Sequence, residues 1–96
     1  MKEEFERIIN AVAEASDLRP CQILGKRRFP EVIDARWIAV KLLKEEGFYK
    51  SRIAELMGMS NRNINYILFL LETRLSEGDK SLNNILEKAK KELRKR

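Results

Sequence analysis

The chain has no histidine and a single cysteine, Cys21. Those two absences exclude an internal disulfide and any zinc site built from one chain's usual ligands. With no histidine, no glycine-rich phosphate loop and no nucleophile beside a base, the common constellations of catalysis are missing. Lone helical carboxylates such as Glu45, Glu46 and Glu55 read as solvent-facing, so no enzyme is expected and no cofactor or metal is implied. Cys21 itself reads as a small buried apolar residue. No apolar run approaches the length of a membrane span, and the acidic, amphipathic start is not that of a signal peptide. The expected location is therefore the cytoplasm.

Glycine and proline are also scarce: four glycines and two prolines in 96 residues. All six fall between stretches of helical periodicity, and no alternating strand pattern occurs, which predicts an all-α single domain of five to six helices. The first helix is expected over about 2–16, with Phe5, Ile8, Ile9 and Val12 on one face. A short helix follows, with Pro20 near its start and Gly25 after Ile23 and Leu24. Beyond a basic loop, Lys26-Arg27-Arg28-Phe29-Pro30, a third helix spans about 31–46 and buries Val32, Ala35, Ala39, Leu42 and Leu43. The fourth covers about 50–57, the fifth about 61–76 and the sixth about 80–94. The sixth carries Leu82, Ile85, Leu86, Ala89 and Leu93 on one stripe, and the basic end up to Arg96 is expected to fray.

What is present is cationic charge, unevenly placed. The net charge is +5, which favours polyanionic partners and speeds encounter with them. Residues 1–18 carry five acids (Glu3, Glu4, Glu6, Glu14, Asp17) against Lys2 and Arg7, whereas residues 19–52 carry nine bases against four acids. The positive field therefore lies beside the stretch Lys50–Phe69, the most informative in the chain.

That stretch reads as a helix-turn-helix. Two short helices crossing steeply need a small residue at the contact, and Ala54 supplies it. Four residues later Gly58 stands at the helix exit, where a positive φ carries no Cβ penalty. Ser60 or Asn61 can cap the next helix, and Ile64 and Ile67 point back onto Ile53, Leu56 and Met57. The fifth helix then divides. Its first turns, Ser60, Asn61, Arg62, Asn63 and Asn65, hold groups suited to base edges, since asparagine pairs bidentately with adenine and arginine with guanine. Its second part, Tyr66 to Leu71, is apolar on every side and is expected to be covered on every side. The wet end is thus the end that a helix-turn-helix inserts into a major groove.

The longer arrangement resembles the C-terminal DNA-binding domain of the bacterial replication initiator DnaA, of the Trp-repressor-like helical class. Three stretches carry the likeness. Leu24-Gly25-Lys26-Arg27-Arg28 is similar to that family's Leu-Ser-Lys-Arg-Arg. Val32 to Leu42 is similar to its Val-x-x-Pro-Arg-Gln-Ile-Ala-Met-Tyr-Leu, and Ile53 to Gly58 precedes a reading helix. The likeness spans about residues 5–75. It implies that Arg28 enters a minor groove from the loop, with Lys26 and Arg27 as neighbouring basic positions, and that Arg36 contacts phosphate. The family's Gly-Gly-Arg-Asp-His-(Ser or Thr)-Thr-Val run is not matched: Gly58 to Ile64 is one residue shorter and lacks Arg-Asp-His. The DNA site read should differ accordingly, and with no counterpart of the family's ATPase domain, replication initiation is not implied.

The resulting expectation is a nucleoid-associated protein that binds double-stranded DNA in transcriptional regulation. The fifth helix would read bases, with Lys50, Ser51, Arg52 and Arg36 on phosphates. The alternative is a helical interaction module. In it, the apolar half of the fifth helix and the sixth-helix stripe would bind a partner chain or a second copy.

Overall fold

A computed structural model describes residues 2–95. Among these residues there are six helices and no strand: α1 (Lys2–Ser16), α2 (Pro20–Leu24), α3 (Pro30–Glu45), α4 (Lys50–Met57), α5 (Asn61–Ser76) and α6 (Lys80–Arg94). The boundaries follow the local chemistry. Pro20 and Pro30 each occupy a first helical turn, where the missing N–H has no partner to lose. Ser60 and Asp79 cap α5 and α6, their side-chain oxygens accepting from the backbone N–H of Asn63 and Leu82, each at 3.1 Å. The helix of the basic C-terminal stretch persists to Arg94, and Arg96 lies outside the described residues.

The third helix is the centre of the domain. Val32, Ala35, Ile38, Ala39, Val40, Leu42 and Leu43 are all buried, so the apolar face of this helix is unusually broad and needs several neighbours to cover it. Each of the other five helices packs on it. The first and last helices pair most extensively with each other, and Phe5, Ile8, Ile9 and Val12 are buried along with Leu82, Ile85 and Ala89. The apolar stripe of α6 is thus largely consumed inside the domain. No helix of the described residues is long and apolar enough to cross a membrane.

Helices α4 and α5 pack on each other across a short turn at residues 58–60. Gly58 has φ 68° and ψ 36°, and the N–H of Met59 reaches back to the carbonyl of Ala54 at 2.9 Å, the long bond of a Schellman ending. Ala54 is buried, as are Ile53 and Met57 on α4 and Ile64, Ile67 and Leu71 on α5. The same type of ending closes α1, where Asp17 takes φ 59° without being glycine.

Arg74 ties three helices at the other end of α5. It bonds Asp79 at 2.8 Å and Asp34 at 3.3 Å, and its guanidinium lies 5.4 Å from the centre of the Trp37 ring. The cap bond from Leu82 and the Arg74 guanidinium hold the Asp79 carboxyl below the usual carboxylate range.

Two outcomes follow from this packing. Ala54→Leu overfills the α4–α5 crossing and costs about 1–3 kcal/mol in urea unfolding, while an exposed serine substituted in the same way costs almost nothing. Asp79 has a depressed folded-state pKa, so its charge stabilises the fold above the ordinary carboxylate pKa, and that contribution disappears as pH falls through the folded value. Asp79→Asn keeps a cap acceptor and should be less stable than wild type at neutral pH. The two proteins should converge in stability on acidification, as followed by urea melts across pH 2–7.

Candidate nucleic-acid interface

The basic loop, the α4–α5 pair and α3 meet at one cleft. It has a volume of about 460 Å³ and is lined by Lys26 and Arg28 from the loop, Arg36 and Trp37 from α3, Gly58 and Met59 from the turn, and Asn63 from α5. Leu24, Gly25, Ile33, Met57 and Ile67 complete its walls, and no carboxylate is among them. Three cations converging without a counter-charge raise each other's electrostatic energy, a cost relieved when an anion arrives. On the far side of the loop a second hollow of about 570 Å³ is lined by Arg19, Cys21, Gln22, Gly25, Lys26 and Arg27. It too is basic and free of acids, so the loop presents positive charge on both flanks.

Of the residues expected to meet DNA, Lys26, Arg27, Arg28, Lys50, Ser51, Ser60, Asn61, Arg62, Asn63 and Asn65 are exposed. Lys26, Arg28, Arg36 and Asn63 share the cleft, whereas Lys50, Ser51 and Arg52 stand apart from it at the start of α4. Arg52 is paired with Glu55 one turn along the same helix, so only part of its charge is free for phosphate. The Ser60 hydroxyl oxygen is used as the cap acceptor for Asn63 N–H, which starts the helix.

Arg36, expected at a phosphate, also acts as a clamp within the fold: Nε donates to the carbonyl of Ile23 at 2.8 Å, and Nη2 donates to Gly25 at 2.7 Å and Gln22 at 3.3 Å. The reason lies in α2. A helix of five residues leaves its last carbonyls without intrahelical partners, and a guanidinium from the neighbouring helix satisfies them. The charge also sits at the negative end of that helix. Partial burial, and then the nearby charge of Arg28, hold the Arg36 guanidinium below its ordinary value. The clamp lands where the basic loop leaves α2, so Arg36 sets the root of the loop.

Two expectations are corrected. Cys21 is exposed. Ile23 is the one buried residue of α2, and two residues along a helix is a rotation of about 200°, which turns Cys21 outward. The second half of α5 is not covered all round: Tyr66 is 57% exposed and Phe69 73%. Helices α3, α4 and α6 surround only one side of it, the side of Ile64, Ile67 and Leu71. Sequence reasoning did not single out Trp37, Met59 or Arg19 for the interface. The run from Val32 to Leu43 is rich in apolar residues, which hides an aromatic that lies half-exposed at the cleft; Arg19 carried no signal beyond its charge.

The sequence matches no protein-family model and none of the curated proteins compared with it.

The clamp makes a direct test. Arg36→Met leaves the α2 carbonyls without a protein partner and should cost about 1–3 kcal/mol, with faster amide exchange through residues 25–28. Arg36→Lys should recover only part of this, because one ammonium cannot span carbonyls that a planar guanidinium reaches together. Equal stability of wild type and Arg36→Met in urea unfolding would contradict the clamp.

Proposed function

We propose that this chain binds double-stranded DNA sequence-specifically, through the helix-turn-helix together with the basic loop, in transcriptional regulation or another task that depends on a DNA site. The observation that carries this reading is the acid-free cleft between loop and reading helix, where Lys26, Arg28 and Arg36 converge beside Asn63. The first turn of α5, with Asn61, Arg62, Asn63 and Asn65 exposed, would enter a major groove. The loop would lie on the adjacent minor groove and bring Arg28 to it. Such a division suits the duplex, because phosphate contacts set position while base edges and groove shape carry sequence information. The resemblance to the DnaA C-terminal domain agrees with this use of loop and helix, with a different site read through Asn61 and Arg62.

A second reading has one observation in its favour. Tyr66 and Phe69 are exposed on α5, and a partner chain would cover them. The sixth helix contributes little to that alternative, since its stripe is buried inside the domain.

The test is salt dependence. The five exposed cations Lys26, Arg27, Arg28, Lys50 and Arg62 are each able to neutralise a phosphate, and each such contact adds about −0.9 to the log–log slope. Fluorescence anisotropy with a labelled random duplex should therefore show binding that weakens with a slope of about −4 to −5. Arg28→Ala should make the slope shallower by about one unit and lose most affinity on A/T-rich flanks. Arg62→Ala should relax preference at one base position in a site selected from a random pool, by about 1–3 kcal/mol of discrimination. No binding at low salt with tens of micromolar protein, against usual non-specific constants of about 10⁻⁴–10⁻⁶ M, would favour the partner-chain reading.

A further inference from the structure

The exposed face of α5 is continuous, and its composition changes along its length. Arg62, Asn65, Tyr66 and Phe69 are all exposed. At helical spacing they fall within an arc of about 100°, opposite Ile64, Ile67 and Leu71, and span roughly 10 Å along the axis. That is close to the roughly 12 Å width of a major groove. The stripe begins polar and cationic and becomes aromatic after one turn. No carboxylate interrupts it: Glu72, the next acid along the helix, is bonded to Lys41 at 3.0 Å.

The middle residue of this stripe is held in place although it is exposed. The Tyr66 ring meets Trp37 edge to face, with centroids 6.5 Å apart and planes at 83°. Trp37 is itself fixed from its other contacts, with Arg74 over its ring and Arg74 bonded in turn to Asp34 and Asp79. An aromatic ring held at a set angle and left open to solvent presents an apolar surface at little further entropic cost on binding. Nothing in the packing of the domain requires that ring to be open.

This inference rests on the DNA-binding reading and makes it more specific. A major groove offers hydrogen-bonding groups and one apolar group, the 5-methyl of thymine. We infer that Tyr66 is a specificity-determining residue that packs its ring on thymine methyl groups, so the preferred site carries thymine opposite the second turn of α5, next to the bases met by Arg62 and Asn65. Phe69 extends the same apolar surface toward the groove edge. The occupant is the duplex and not a protein, because the aromatic pair continues an acid-free stripe that begins with the arginine and asparagine beside the basic cleft.

The experiment replaces thymine by deoxyuridine, which keeps base pairing and removes only the methyl. A duplex selected from a random pool is compared, position by position, with its uracil-substituted versions at fixed salt. Wild type should bind about three- to five-fold more weakly for each contacted methyl removed, roughly the value of burying one such group. Tyr66→Phe keeps the ring and should retain the discrimination. Tyr66→Gln should bind thymine and uracil duplexes alike. Should Tyr66→Gln fail to fold by circular dichroism, wild type and Tyr66→Phe still decide the matter. Uracil insensitivity of wild type at every position, or discrimination that persists in a folded Tyr66→Gln protein, overturns the thymine contact while leaving DNA binding intact. Absence of binding to any duplex removes the DNA reading itself, and the contact with it.

Discussion

The structure depends on one constraint: α3 carries an apolar face more than half its circumference wide, and that face has to be enclosed. A helix of this kind cannot stand at the edge of a small domain, because each side left wet would expose aliphatic surface at about 25 cal/mol per Å². The five other helices cover it, and their positions follow. Helices α1 and α6 close one side, α2 lies across its start, and α4 and α5 cover the remainder. The positions of the loop and of α5 are consequences of this enclosure, since both depart from elements that are packed on α3.

Arg36 shows how a central helix can govern a surface. Its backbone is part of the enclosed rod, but its side chain reaches α2 and holds three carbonyls at the root of the basic loop. The loop is thereby registered against the same helix that supports Trp37, and Trp37 registers Tyr66 on α5. Two arms of the candidate interface are referred to one rigid element. A site on a duplex needs such a common reference, because the spacing between a major groove and the neighbouring minor groove is set by the DNA.

Much of this was legible in the sequence. Helix limits were readable because Pro20, Pro30, Gly58 and Ser60 act locally, through φ or through a cap. The α4–α5 crossing was readable because Ala54, Gly58, Ile64 and Ile67 stand at offsets that few other arrangements require. The rest depended on three-dimensional partners. Cys21 is exposed although its residue type favours burial, because its angle from Ile23 on a very short helix turns it outward. The exposure of Tyr66 and Phe69 is not legible, because an apolar sequence does not reveal which sides of a helix its neighbours reach. The clamp of Arg36 on the orphaned carbonyls of α2 is a property of the fold that no local pattern announces.

The central claim is that the loop and the start of α5 act as one DNA-facing surface. The most direct measurement is a titration of ¹⁵N-labelled protein with a short duplex, followed by backbone amide shifts. Residues 25–28 and 58–66 should shift together with one dissociation constant, while α1, which is acidic, and α6, whose apolar stripe is packed inside the domain, remain still. Shifts centred on α1 or α6, or a loop that responds independently of α5, would contradict the account.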